Sequence, residues 1–476
     1  MVHLCANGLY SYHRDELYLI ICGRRWMQGS IDHPPLTPLL TRVASAIFGE
    51  GPAAQRVFSS VAGALVVWLV GMAARRLGGG LGAQLLAAGS ALIAPVFIYA
   101  AGVNSTNALD QLFWMAASYV LLSILASDGS GRRPIRRWVL LGALVGLGAL
   151  NKYTMLLCGL ALALGVLASS ERKRWREPGP WVALLTALAV IAPYAAWAWF
   201  HRIPTLEFLG QRFQSARQVS IGWFLLDQIK LLGPLSFLIA MLGLATALRR
   251  GASAERRVFG LMFAAVLLLL LAGRGKAYFA SPAYLPLLAI GAVECARLLS
   301  FARTRVRVAT GALWMAGGLI AFLGTLPVLP QHLLVRLQLH RLNPELAQFA
   351  NWHAVVAQVG QPYNLAVPRG PAILTDSYGT AAAIELLGAE LQLPPPLSGS
   401  NSYYFWNHSP PEPDEVLSIG YPRELLEQAF RRVEIAGVVQ MPSGLDNRFD
   451  FPRVIYHCQD KHRLLRDVWP QLRRFE

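Results

Sequence analysis

Asp15 and Glu16 stand side by side in HRDELY, Asp32 and His33 follow in SIDHPPLTP, and a further acid, Asp110, occurs in AGVNSTNALDQLFW. A carboxylate set against an acceptor hydroxyl can take its proton as a new bond forms, and burial near an apolar boundary raises its pKa toward the neutral range. Asp15 is the candidate base, with Glu16 holding it or a cation in place. Cations that suit an anionic leaving group are also present: Arg56, Lys152 in GALNKYTMLL, and Arg274 and Lys276 in GRGKAYFASPAY. Such side chains stabilise the charge that develops on a departing phosphate. Each residue also has a plain structural reading that stays open at this level. Asp15 would N-cap a helix starting near Glu16, Asp32 would cap one starting at Pro34, Asp110 would complement a helix N-terminus, and Lys152 would anchor an interface.

The elements that must position these residues are membrane spans. Of 476 residues 54% are apolar and 15% charged, which lies outside the globular norm. The formal charge of +16 is carried by short bursts of Lys and Arg between apolar runs, a pattern that favours the membrane surface and excludes nucleic acid as partner. Uncharged stretches of about spanning length fall at roughly 57–74, 79–103, 111–127, 138–151, 153–170, 181–200, 231–248, 258–273, 278–293 and 308–329. Basic clusters follow every second stretch: Arg75-Arg76, Arg132-Arg133 with Arg136-Arg137, Arg172 to Arg176, Arg249-Arg250 with Arg256-Arg257, and Arg297 to Arg307. The positive-inside rule makes these loops cytoplasmic and places residues 1–55 and 330–476 outside, on the same side as the acids. Arg56, Lys152, Arg274 and Lys276 then stand against the charge bias, and cations on that side need a reason.

MVHLCANGLYSYHRDELY contains neither a run of spanning length nor a signal-peptide pattern. The expectation is a further helix ahead of Met1, which would let the amino terminus begin in the cytoplasm. Residues 15–55 read as two amphipathic helices lying along the interface; in the second, Leu36, Leu39, Leu40, Val43 and Ile47 recur at helical spacing after Pro34-Pro35. His201 to Lys230 reads as a second surface segment. After Pro330, β-type runs AILT, VEIAGVV and RVIYHC alternate with helical stretches TAAAIELLG and HRLLRDVWPQLRRF, which predicts a small α/β domain. The five cysteines show no metal-ligand spacing, and a Cys5–Cys22 bridge is allowed only on compartment grounds. No phosphate-binding loop, dinucleotide fingerprint, HExxH or G-x-S-x-G is present, so ATP hydrolysis, redox and serine hydrolysis lose their usual support; no cofactor is indicated, and a divalent metal is left open.

RDELYLIICGRRW, DHPPLTPLLTRV, NALDQLFWMAASYVLL, GLGALNKYTMLL, GKAYFASPAYLPLLAIGAVE and LPPPLSGSNSYYFW, in this order, resemble bacterial family 39 glycosyltransferases of the GT-C superfamily, relatives of protein O-mannosyltransferases and the lipid A aminoarabinose transferase. The resemblance runs from about residue 10 to the carboxyl end. It implies a polyprenyl-phosphate-linked sugar donor, an envelope acceptor, and inverting transfer without a covalent intermediate. It places Asp15 at the family's catalytic aspartate, Asp110 at a second acid and Lys152 at a lysine that binds the donor phosphate. Family members begin with a membrane helix before the acid pair. In one departure, Asp32-His33 stand where aminoarabinose transferases carry a Lys before the Pro pair, so donor or acceptor need not be theirs; His33 either assists proton movement or caps.

The reading is therefore a mainly α, polytopic helical membrane protein of GT-C type with a small extracytoplasmic C-terminal α/β domain: an external loop over 1–55, about ten spans over 56–329, and the α/β domain over 330–476. Catalysis is expected at Asp15, Glu16 and Asp110, and substrate binding at Asp32, His33, Arg56, Lys152, Arg274 and Lys276. The expected place is the inner or plasma membrane with the active face outside. A polyprenyl-linked glycan transporter or flippase is the alternative, and a receptor for envelope polymers a third; the amphipathic loop, the large terminal domain and the lack of an internal repeat weigh against transport.

Overall fold

The computed structural model describes residues 2–126, 135–202, 204–205, 207–208, 210–211, 220–349, 351–366, 370–407, 412–440 and 451–475. The basic pair Arg132-Arg133 and, within the 201–230 segment, residues 203, 206, 209 and 212–219 fall outside these residues.

After a single helical turn at Val2–Ala6, two short helices precede the bundle, α1 (Arg14–Arg24) and α2 (Leu36–Phe48). The bundle follows: α3 (Val57–Arg76), α4 (Leu81–Ile93), α5 (Pro95–Gly102), α6 (Thr106–Leu125), α7 (Ile135–Ala149), α8 (Thr154–Leu167), α9 (Pro178–Phe200), α10 (Ile221–Leu248), α11 (Ala254–Ala272), α12 (Tyr284–Ser300) and α13 (Thr304–Thr325). Among the described residues each apolar stretch read from the sequence is mainly helical. Among the described residues six helices are long and apolar enough to span: Pro52–Arg76, Thr106–Leu125, Pro178–Phe200, Ile221–Leu248, Ala277–Ser300 and Thr304–Thr325; counting each bent pair as one span gives up to eight. The bent pairs are α4 with α5, broken by 66° ahead of Pro95, and α8 with the turn Ser170–Arg176. Of the remaining two, α7 has 15 residues and α11 opens on Glu255, Arg256 and Arg257. The segment expected to rest on the surface up to Lys230 is helical from Ile221, and α10 kinks at Gly233, whose φ of 71° suits glycine, before Pro234.

Charge segregates along the bundle. Arg76 and Arg137 both donate to the Ser123 carbonyl near the end of α6, and Arg256 donates to the Leu77 carbonyl. Asp110 lies near the start of α6, about 20 Å along the helix from Ser123. Basic clusters and acids thus occupy opposite ends, as the alternation of charge predicts.

Past the bundle come α14 (Trp352–Ala366), β1 (Ala372–Thr375), α15 (Tyr378–Leu387), β2 (Leu397–Ser398), α16 (Asn401–Trp406), β3 (Val416–Ile419), β4 (Phe430–Val439), β5 (Arg453–Lys461) and α17 (Leu465–Leu472). The sheet order is β2-β1-β3-β5-β4, parallel across β2, β1 and β3 and antiparallel beyond. The three predicted strands are found as β1, β4 and β5. The short β2 and β3, in LPPPLSGS and EVLSIG, carry no alternation that would announce them.

The interfacial position expected for the first helix is corrected. Leu17, Tyr18, Ile20, Ile21 and Cys22 of α1 join Trp352, Val355, Ile373, Ile384 and Tyr403 in one buried core. A helix apolar nearly all round is a buried helix, and each of its large side chains contributes on the order of 1.5–3 kcal/mol through burial. The first loop is thereby locked into the C-terminal domain. Helix α2 is amphipathic: Thr37, Thr41 and Ala44 face inward, while Leu39, Ile47 and Phe48 are exposed.

Candidate active site

The acid pair sits in the first turn of α1. His13 is the N-cap: its Nδ1 accepts from the Asp15 backbone N–H at 3.2 Å, and its own N–H donates to Glu16 Oε2 at 2.8 Å. This is a capping box with histidine in the usual Ser/Thr place, and the cap reading of Asp15 gives way to it. Asp15 and Glu16 then have different surroundings.

Glu16 is fully buried and accepts from four donors: Arg56 Nε at 2.8 Å, Arg56 Nη2 at 2.7 Å, the Asn104 N–H at 2.9 Å and the His13 N–H. Arg56 is equally buried and spends its other donors on the Asn7 and Ser11 carbonyls. The expectation that Arg56 meets a donor phosphate is corrected. Its guanidinium is enclosed and already engaged, because a buried charge needs a partner on every donor. Glu16 does hold a cation, but the pair fastens α1 to the start of α3 and to the turn before α6.

Asp15 stays half-exposed, at 46% of its side chain. Its Oδ1 accepts from Tyr378 Oη at 2.7 Å, and Arg14 Nε lies 3.6 Å away. Arg14 in turn donates to the same Tyr378 hydroxyl from Nε at 3.0 Å and Nη2 at 2.6 Å. On the other side His13 Nε2 faces Tyr99 Oη at 3.1 Å and Glu345 Oε2 at 3.4 Å. The expected rise in the Asp15 pKa is reversed. Burial opposes ionisation, but His13, Arg14, the Tyr378 hydroxyl and His33 outweigh it and hold the carboxyl below the usual carboxylate range. Asp15 is an ionised acceptor with one oxygen tied down and an open face.

The second cluster lies at the mouth of α6, α7 and α8. Asp110 accepts from Trp114 Nε1 at 3.1 Å and Thr154 Oγ1 at 2.9 Å, with Lys152 Nζ at 3.7 Å. Lys152 also donates to Asn107 Oδ1 at 2.6 Å and lies about 5 Å from the rings of Tyr278 and Phe279, at 5.0 and 5.1 Å. Lys276 approaches Tyr278 at 5.9 Å. Lys152 and Lys276 are thus brought to one tyrosine, while Arg274 stands exposed two residues earlier with a φ of 50°.

A run of hydrogen bonds ties the two clusters to the same end of the bundle. Asn104 donates from its backbone to Glu16 and from Nδ2 to Thr41 Oγ1 at 3.0 Å. One turn away on α2, Thr37 donates to Asn151 Oδ1, whose Nδ2 donates to the Thr106 carbonyl. The inward Thr face of α2 therefore connects Glu16 to the residue preceding Lys152.

Asp32 caps nothing: α2 has no side-chain cap. Its carboxylate accepts from Tyr18 Oη at 3.1 Å, Asn401 Nδ2 at 3.0 Å and Ser402 Oγ at 3.3 Å, so it docks α16 of the C-terminal domain. His33 Nε2 lies 3.6 Å from the same carboxylate, with its ring edge-on to Tyr18. The residues that sequence reasoning missed are His13, Arg14, Tyr99, Glu345 and Tyr378. Tyr378 and Glu345 come from the far end of the chain, and no local pattern marks them. Among the described residues no group of three or more His, Cys, Asp or Glu side chains could hold a metal ion.

A helical bundle, a sheet domain and an acid on the helix packed between them make this a polytopic membrane protein. Residues 32–197 match the family described as dolichyl-phosphate-mannose-protein mannosyltransferase, a stretch that starts after Asp15 and Glu16. The undecaprenyl phosphate-alpha-4-amino-4-deoxy-L-arabinose arabinosyl transferase of Pseudomonas aeruginosa is 32% identical over 249 residues, covering 48% of this chain and 42% of that protein. Its counterpart in Pseudomonas paraeruginosa is 35% identical over 161 residues, 32% of this chain and 28% of that one. The matches thus span less than half the length of these relatives. ArnT from Cupriavidus metallidurans in its apo state shares the fold at a TM-score of 0.63 and 16% identity, covering 96% of this chain and 95% of that one; its form bound to undecaprenyl phosphate also gives 0.63, at 15% identity and 96% coverage of both. The GT-C fold and the resemblance to the aminoarabinose transferase type, read first from six short motifs, are supported on both counts.

Proposed function

We propose that this chain is a glycosyltransferase that moves a sugar from a polyprenyl-phosphate donor to an envelope acceptor, on the extracytoplasmic face of the inner or plasma membrane. The observation that carries the reading is the pairing, at one end of the bundle, of an ionised half-open Asp15 with a cationic and aromatic cluster around Lys152. The acceptor hydroxyl or amine approaches Asp15 and attacks the anomeric carbon from the face opposite the phosphate. The C–O bond to phosphate breaks, the bond to the acceptor forms with inversion, and the acceptor's proton passes to the Asp15 carboxylate and on to water at its open face. Lys152, with Lys276 and Arg274 nearby, neutralises the departing lipid phosphate. Asp110 and Asn107 aim Lys152. The segregation of Arg clusters to the opposite end supports the outward orientation.

The relatives make 4-amino-4-deoxy-L-arabinose the first sugar to test and undecaprenyl phosphate the first carrier. Purified full-length protein in lipid nanodiscs is given undecaprenyl-phosphate sugars of several kinds with lipid A as acceptor. Release of free undecaprenyl phosphate coupled to glycosylated acceptor is expected. Movement of intact donor across a sealed vesicle, with no bond cleaved, would reject the enzyme in favour of a transporter. Because positive charge comes from side chains in this reading, transfer is expected to persist in excess chelator.

A further inference from the structure

Resting on the proposed transfer, we infer that Tyr378 is a positioning residue for Asp15, and that the C-terminal domain is therefore a working wall of the active site. Tyr378 opens α15, directly after β1, and the chain separates it from Asp15 by the entire bundle. It is buried, its hydroxyl donates to Asp15 Oδ1 at 2.7 Å, and its ring packs on Tyr18 at 4.7 Å between centroids. Arg14 places its guanidinium 4.6 Å from the ring centroid and directs two N–H groups at the hydroxyl oxygen. Those donors occupy the oxygen's lone pairs, so its only hydrogen is left for Asp15. The result is a one-way bond: Arg14 to Tyr378 to Asp15.

A carboxylate on a half-exposed side chain has a soft final torsion and would sample several orientations. Fixing one oxygen turns the other toward the open face, where an acceptor would be met. The base of α15 is itself held rigidly. Asp376, two residues before Tyr378, pairs with Arg453 and with Arg474 Nη1 at 2.6 Å. Below, Asp32 clamps Asn401 and Ser402 of the neighbouring α16. The domain thus delivers the phenol from a braced platform. Positioning of this kind affects the rate more than substrate affinity, since a misoriented base alters the transition state and not the binding of the sugar lipid.

The experiment is Tyr378→Phe in the full chain, assayed with the same undecaprenyl-phosphate sugar that the wild type turns over. The ring and its packing remain; only the hydroxyl is lost. We expect kcat to fall about tenfold or more, KM for donor to stay within about twofold, and the acidic limb of the kcat/KM profile to move to higher pH. The limb moves because a bond that favours the ionised carboxyl is removed while Arg14 remains as its cation, with His13 and His33 also facing it and Glu345 and Glu16 as its neighbouring acids. Tyr403→Phe is the control: that buried tyrosine, in the same interface, donates to Glu385 at 2.7 Å and does not touch Asp15. It is expected to lower stability with no change in the limb. If wild type gives no product with any donor, the proposed transfer itself fails. If wild type is active and Tyr378→Phe matches it in kcat and limb, or shifts no more than Tyr403→Phe, the positioning role is overturned.

Discussion

Replacing Arg56 with Met decides between two roles for a cation on the acidic side of the bundle. A phosphate ligand would be exposed and dispensable for folding; Arg56 is neither. Met fills much of the same volume but leaves Glu16 buried with the Asn104 and His13 N–H groups as its remaining donors. Breaking a buried ion pair from one side costs about 3–5 kcal/mol, because the stranded charge keeps its desolvation penalty. The Asn7 and Ser11 carbonyls also lose their donor, so the upper half of that range is expected. Glu16→Gln in the same background removes the stranded charge, and the double variant should recover at least about 2 kcal/mol relative to the sum of the single changes. The assay is SDS titration in mixed micelles, followed by tryptophan fluorescence, with undecaprenyl phosphate binding measured on protein that remains folded. Arg56→Met should unfold early yet bind the lipid within about twofold of wild type. A variant with wild-type stability but tenfold weaker lipid binding would refute the structural assignment and restore Arg56 to the phosphate site.

Asp15→Asn should abolish turnover, by about a hundredfold or more, while retaining donor binding and the melting transition; retained turnover would reject Asp15 as the proton acceptor. Because His13, Arg14, Tyr378 and His33 lower the Asp15 pKa, the carboxyl is ionised above that lowered value, so its contribution to activity is lost only as pH falls beneath the ordinary carboxylate range of about 4. A limb between pH 6 and 7 that disappears in Asp15→Asn would contradict this. Lys152→Met should weaken undecaprenyl phosphate binding about tenfold or more and destabilise the protein through the stranded Asp110, whereas adding Asp110→Asn should restore stability but not binding. Asp32→Asn should loosen α16, because an amide NH2 would confront one of the donors from Tyr18, Asn401 and Ser402; hydrogen exchange over 401–406 is expected to rise, and unchanged protection would remove Asp32 from the docking role.

The helices of the bundle, the Arg-bearing end and the strands β1, β4 and β5 were legible in the residues themselves, because hydropathy, charge placement and alternation are local quantities with fixed periods. The acids and Lys152 were legible as candidates for the same reason: charges are conspicuous in an apolar chain. What each does depends on which groups surround it. Asp15 and Glu16 are adjacent in the chain, yet folding leaves one half-open beside Tyr378 and encloses the other with Arg56. Nothing local separates them. Helix α1 reads as an interfacial helix until residues more than three hundred positions away cover its other side, and Asp32 reads as a cap until Asn401 and Ser402 arrive. Periodicity reports the environment a segment needs; only tertiary packing supplies the partners that set a pKa, occupy a cation or aim a carboxylate.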